Sequence, residues 1–372
     1  MTQKKKLIIG IVAGIAVLAA LLVVLVVLTQ QSEAVPLVEA HPYDKGMVEP
    51  VVEPEPEPDY STWPLTGLPV ILDSSVAEAQ QEEVSFALTH RSPLCVKIEN
   101  SYDARPQSGL SQADVVYETL AEGGITRFNC IFQSYIPGEV GPVRSARNSD
   151  ISIVPQYQGI LFYSGANPIV LHQLATAWVP KLTEGAGGFY RVNFRYAPHN
   201  LYYDLTWGWG DAEWIGIETV TENPSTLEFL DLSKPNTNPK SVPVSGLIVP
   251  FSDGFIGEWE WVGEGASGRW MRSMDGKSYD ANTNEQVGAT NVVVMWTPHW
   301  PDAGEGITWE MSLNGSGRAC IFTQGGRIDG TWETEHSYTP PRFFDDNGEE
   351  IRLTPGNTWF QVLPPDRDIS TR

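Results

Sequence analysis

The chain has 372 residues, of which 41% are hydrophobic and 19% charged, with 24 basic against 46 acidic side chains and a net charge of −22. A chain of this length can bury a sizeable core, and the acidic balance excludes nucleic-acid binding through overall charge. Its three cysteines are too few for a disulfide framework.

Leu7 to Leu28 carries no charge and would span about 33 Å as a helix, enough to cross a hydrocarbon core of about 30 Å. Lys4, Lys5 and Lys6 precede it, so the positive-inside bias keeps the N-terminus in the cytoplasm and sends the rest outside. Residues 1–30 are therefore read as a single-pass membrane anchor. A cleaved signal peptide is the rival, with Ser32-Glu33-Ala34 as a small-x-small triplet, but an apolar run longer than about 15 residues favours the anchor. Either way the globular part is extracytoplasmic. Residues 31–62 are rich in proline and acid, including Glu53-Pro54-Glu55-Pro56-Glu57-Pro58-Asp59, and read as a disordered spacer that extends up to ~100 Å.

The expected fold is an α/β N-terminal domain over 63–235 followed by a mainly antiparallel β C-terminal domain over 240–372. Apolar runs predict strands at 94–99, 114–119, 126–134 and 159–164, with helical periodicity over 169–178. From residue 246 the pattern becomes short alternating runs, at 247–251, 258–262, 269–274, 291–296, 307–313, 319–323 and 358–363. Asp275-Gly276 and Asn347-Gly348 divide strand-like stretches at dipeptides that favour primed hairpin turns. Gly263-Glu264-Gly265-Ala266-Ser267-Gly268 fits G-x-G-x-x-G, but no helix pattern follows, so it reads as a hairpin loop.

The common nucleotide, zinc and serine-hydrolase signatures are missing, and no cofactor or metal is indicated. Cys95, Cys130 and Cys320 sit in apolar strand-like sequence and read as buried thiols, with a Cys95–Cys130 disulfide open if their strands are neighbours. The tryptophans from Trp207 onward read mainly as core, with sugar stacking as the alternative.

Charge is uneven. Residues 91–200 hold nine basic against eight acidic side chains, whereas the rest of the globular part holds 11 against 30. Seven of the nine are arginines, whose planar fork suits carboxylate or phosphate. Arg105, Arg127, Arg144 and Arg147 are candidates for a phosphate or pyrophosphate site, with His199 as proton donor and Asn200 as hydrogen-bond partner. The competing reading pairs these arginines with Glu99, Asp114, Glu118 and Glu122 in a structural network. The expected partner is an anionic envelope ligand, or, for a non-catalytic module, an envelope protein or glycan. Whether any reaction is catalysed stays open.

The runs 108–118 (SGLSQADVVYE), 122–128 (EGGITRF), 141–147 (GPVRSAR) and 197–202 (APHNLY) resemble, in the same order, the YerB-like bacterial lipoprotein family. Residues 326–332 (GRIDGTW) and 355–359 (PGNTW) resemble the family's second part. The resemblance implies an exported, two-part architecture and supplies no reaction. This chain lacks the family's lipid-bearing cysteine, for which a membrane helix would substitute.

Overall fold

A computed structural model describes residues 61–72, 74–221, 224–301 and 308–372. The anchor expected over 1–30 and nearly all of the spacer expected over 31–62 lie outside the described residues. Among the described residues no helix is long and apolar enough to cross a membrane.

The helices, in chain order, are α1 (Gln81–Thr89), α2 (Ser149–Gln156), α3 (Pro168–Thr176) and α4 (Gly208–Trp214). The first half carries strands β1 (Leu94–Glu99), β2 (Val115–Leu120), β3 (Thr126–Phe132), β4 (Ile160–Tyr163), β5 (Lys181–Thr183), β6 (Phe189–Arg191) and β7 (Leu201–Tyr203). The second half carries β8 (Val242–Pro243), β9 (Gly246–Ser252), β10 (Phe255–Val262), β11 (Arg269–Ser273), β12 (Gly288–Ala289), β13 (Asn291–Trp296) and β14 (His299–Pro301). It continues with β15 (Trp309–Met311), β16 (Ser316–Thr323), β17 (Gly326–Glu333), β18 (Arg342–Phe344), β19 (Thr358–Leu363) and β20 (Ser370–Thr371).

The described chain is mostly β. A large mixed sheet runs β18-β17-β16-β13-β19-β2-β3-β1-β4-β5, with β8 beside β17, and a smaller one runs β12-β11-β10-β9-β20. Both halves of the chain contribute to the large sheet, because β19 lies between β13 and β2 and is parallel to both.

The α/β expectation is met only in part. β1, β4 and β5 are parallel neighbours, with α2 preceding β4 and α3 joining β4 to β5. β2, β3 and β1 are antiparallel neighbours: the β2–β3 connection, residues 121–125, is too short for a crossover. In the second half β9–β11 and β16–β18 are antiparallel as expected, whereas β19 arrives after a long excursion and pairs in parallel. Asp275-Gly276 makes a tight turn with φ of 56° and 111°, and Gly263–Gly268 lies in the β10–β11 connection.

Strand alternation gives the large sheet two different faces. Leu94, Val96, Ile98, Val116 and Phe128 share one core with Trp259 and Trp270 of the smaller sheet. Cys95, Tyr117 and Ile131 share the other with Ile153 and Val154 of α2 and Val170 and Leu174 of α3. Cys130 pairs in register with Val96, placing it on the face opposite Cys95, so neighbouring strands still give no disulfide. All three cysteines are buried and free. Trp259, Trp270, Trp332 and Trp359 fill core, the role expected for most tryptophans from Trp207 onward.

One buried ion pair joins the sheets. The fully buried Glu118 carboxylate accepts from Arg272 Nη2 at 2.8 and 2.9 Å, Thr126 Oγ1 at 2.7 Å, Asn100 Nδ2 at 3.1 Å and Gln361 Nε2 at 3.2 Å. The Arg272 guanidinium sits 5.4–5.8 Å from the rings of Phe128, Trp259 and Trp359. Removing one partner strands a charge in the core, so Arg272→Met is expected to lower unfolding free energy by about 3–5 kcal/mol. Adding Glu118→Leu is expected to restore most of that loss. Urea unfolding of both variants checks this, and an equal loss in the double variant would contradict it.

Candidate anion site

β1 and β4 pair only over Leu94–Val96 and Ile160–Phe162. Beyond that point the segment 142–146 takes the place between them. Glu99 N donates to Pro142 O at 3.0 Å and Arg144 N to Lys97 O at 2.9 Å. On the other side Ser164 N donates to Arg144 O at 3.0 Å and Ala146 N to Gly165 O at 2.9 Å. The insertion opens the carboxyl edge of the parallel strands, the part of an open sheet where ligands gather, and brings Arg144 and Arg147 to it.

Two carboxylates organise the cations there. Glu99, at the end of β1, lies 3.2 Å from Arg144 Nε and 2.9 Å from His199 Nδ1, and accepts from Ser101 Oγ at 2.9 Å. Glu122, beyond the end of β2, is shared: one oxygen takes Arg127 Nη2, and the other takes Nη2 and Nε of Arg147, the last at 2.9 Å. The Ser145 carbonyl accepts from both arginines, at 2.9 and 3.2 Å. Burial alone would raise the Glu122 pKa, but Arg127 and Arg147 outweigh it and hold the carboxyl below its usual range. Burial, and then the nearby Arg147, push the Arg127 guanidinium down.

Beneath this layer Lys97 Nζ meets Asp150 at 2.8 Å, with both side chains fully buried. Asn129 Nδ2 and Arg147 N complete the Asp150 carboxylate at 2.9 and 2.7 Å. Burial lowers the Lys97 pKa, opposed by Asp150. The cluster thus sets four cations, Lys97, Arg127, Arg144 and Arg147, against three carboxylates, Glu99, Glu122 and Asp150. One positive charge remains over before His199 is counted.

Of the residues read from sequence, Arg127, Arg144, Arg147 and His199 come to this edge. Arg105 does not. It donates to Asn100 O at 3.0 Å and pairs with Asp275 at 2.9 Å, and Asn100 binds Glu118 on the face under the smaller sheet. Asn100 follows Glu99, and the alternation of the extended chain turns the two side chains to opposite faces. Arg105 lines a separate cavity of about 300 Å³ with Arg272, Lys277 and Tyr279. Asn200 stands at the margin, accepting from Arg191 Nη1 at 2.7 Å. Arg191 pairs with Glu184, which in turn takes Ser164 Oγ at 3.0 Å. Of the carboxylates proposed as structural partners, Glu99 and Glu122 take arginines of this edge, while Glu118 takes Arg272. Asp114 instead accepts from Gln133 N, Ser134 N and Ser134 Oγ, and burial against these bonds pushes its pKa up to about 6.

Sequence reasoning placed neither the Lys97–Asp150 pair nor Arg191 in the site. The alternation of Lys97 and Glu99 within an otherwise apolar strand is the signal that the first of these offered. No group of His, Cys, Asp and Glu side chains suited to a metal ion occurs among the described residues.

Residues 79–213 match the N-terminal domain, and residues 247–360 the C-terminal domain, of the family described as "Protein of unknown function (DUF3048)". The chain belongs to this family. It is 31% identical over 282 residues to "Putative lipoprotein YerB" of Bacillus subtilis (strain 168), covering 74% of this chain and 82% of that one. The crystal structure of YerB protein from Bacillus subtilis superposes with a TM-score of 0.68 at 29% identity, covering 83% of this chain and 99% of that one.

The shared carboxylate gives a pH signature. Because its folded pKa is depressed, Glu122 contributes stability that is fully present above its unfolded value of about 4.3 and is lost as pH falls through the folded pKa. Glu122→Gln should therefore be the less stable protein at neutral pH, and its melting temperature should converge with wild type in acid. Thermal melts from pH 7 to pH 3 test this, and a constant gap would contradict it.

Proposed function

We propose that the protein is membrane-associated and extracytoplasmic, and that the edge formed by Arg127, Arg144, Arg147 and His199 binds a phosphate- or pyrophosphate-bearing envelope ligand. The observation that carries this is the state of Arg144. Its side chain is 23% exposed, its Nε lies 3.2 Å from Glu99 as an ion pair without a hydrogen bond, and its terminal nitrogens have no hydrogen-bond partner among the described residues. Arg127 and Arg147 are held behind it on one carboxylate and serve as fixed positive background. A guanidinium held beside Glu99 by charge alone, with both Nη groups open, presents a fork matched to two phosphate oxygens. His199, also 23% exposed and held by the same Glu99 oxygen, supplies a further donor beside it.

The surrounding charge suits this reading, since a local excess of cations in a chain of net charge −22 concentrates anions where the structure can hold them. The lipoprotein name of the Bacillus relative supports an outer membrane-face location. In this chain the apolar run at 7–28 behind Lys4–Lys6 would supply the attachment.

Titration with inorganic pyrophosphate is expected to show saturable binding that Arg144→Ala weakens about tenfold or more, consistent with the loss of a charge-assisted bidentate pair. Calorimetry of wild type and variant at two salt concentrations provides the measurement. Absence of wild-type binding, or binding indifferent to Arg144, would refute the proposal.

A second reading, a non-catalytic module that holds a glycan or protein, is favoured by one feature. Trp207, at the N-cap of α4, and Trp214, its last residue, are 61% and 90% exposed. Seven residues apart, they lie on nearly the same side of the helix about 10 Å from each other. On that reading Trp207→Ala with Trp214→Ala abolishes retention on a glycan array or on envelope extract, while Arg144→Ala leaves it intact.

A further inference from the structure

Arg105, which does not reach the anion site, lines the cavity of about 300 Å³ that opens between residues 100–110 of the first half of the chain and the β11–β12 connection of the second. That volume is at the lower end of the range of about 300–1,000 Å³ usual for small-molecule sites.

Four charged side chains line it: Arg105, Arg272, Lys277 and Asp275. Two of the three cations are already neutralised. Arg105 Nη1 pairs with Asp275 at 2.9 Å, and Arg272 Nη2 pairs with Glu118 behind the wall at 2.8 Å. Lys277 is exposed, and its ammonium has no ion pair or hydrogen bond among the described residues. One positive charge is therefore left over, on a group that solutes can reach.

The turn that carries Lys277 is held in place. Met274 N donates to Gly276 O at 2.8 Å, and Asp275 and Gly276 take φ of 56° and 111°. Arg105 fastens this turn to the first half of the chain through Asp275, and its guanidinium lies 5.2 Å from the Phe255 ring of β10. The wall also carries Tyr102 and Tyr279, 77% and 43% exposed, whose hydroxyls have no partner among the described residues. Their rings offer apolar faces to a planar body, and their hydroxyls can donate to an oxyanion.

We propose that this cavity binds a small aromatic carboxylate, its charge beside the Lys277 ammonium and its ring against Tyr102 and Tyr279. A single unpaired cation matches a monoanion. Pyrophosphate, with several charges, would leave most of them unmet beside Asp275, so this site and the edge around Arg144 take different ligands and are tested separately.

The full chain labelled with 13C at its methionine methyl groups reports from Met274 in the cavity wall. Benzoate is expected to shift that signal saturably. It should bind about five- to tenfold more tightly than benzyl alcohol, which keeps the ring and drops the charge, and than acetate, which does the reverse. Lys277→Gln should bring benzoate down to the affinity of benzyl alcohol and leave the alcohol unchanged, and pyrophosphate should not displace benzoate from wild type. Equal affinities of benzoate and either fragment, a benzoate preference that survives in Lys277→Gln, no saturable shift at Met274, or displacement by pyrophosphate would each overturn the proposal. The wild-type comparisons decide the matter even if the variant fails to fold.

Discussion

Everything in this fold is arranged around a carboxylate with no access to water. Glu118 sits in mid-strand on the face of the large sheet that the smaller sheet covers, and a charge in that position must be met completely. Arg272 reaches it from the smaller sheet, Gln361 from β19, and Asn100 and Thr126 from beside β1 and from β3. These four donors come from sequence positions up to 243 residues from Glu118. Their convergence fixes the placement of one sheet on the other more tightly than apolar contact alone, because a shifted packing would leave a buried ion unpaired. Three aromatic rings about the guanidinium keep water out and give the cation a second favourable environment.

The opposite face of the same strands has its own charged interior. Lys97 and Asp150 form a fully buried pair, and above it the charge spreads outward through Arg127, Arg147 and Glu122 to Glu99, Arg144 and His199. The innermost pair is sealed, whereas Glu122, Arg144 and His199 are about a quarter to a third open. The inner pairs hold the backbone that positions the outer ones. The candidate anion site thereby draws on sheet geometry, with segment 142–146 hydrogen-bonded as if it were a strand and its arginines held beside the carboxylates.

Sequence legibility followed burial. Strands 94–99, 291–296 and 358–363 have the bounds their apolar runs predicted, since each is enclosed on both faces. β17 was not among the expected strands because Gly326, Asp329 and Gly330 interrupt its pattern. Gly330 is required there, since a Cβ would lie 2.2 Å from the Phe344 carbonyl oxygen of the adjacent strand. The parallel placement of β19 left no local trace, as register between strands hundreds of residues apart is decided by packing. Within the site, the arginine-bearing runs were visible as an excess of charge, but the face each side chain takes was not, and Arg105 shows the cost of a one-residue difference in an extended chain.

The insertion of β19 between β13 and β2 also constrains how the molecule is made. Until residues 358–363 have emerged, the outer edge of β2 carries unpaired backbone donors and acceptors, and the first half of the chain is an open template for any extended peptide. A chain made from its N-terminus therefore completes its central sheet only after nearly all of it is available. The acidic surface, by keeping neighbouring copies apart during that interval, protects an assembly step that the topology has postponed to the end.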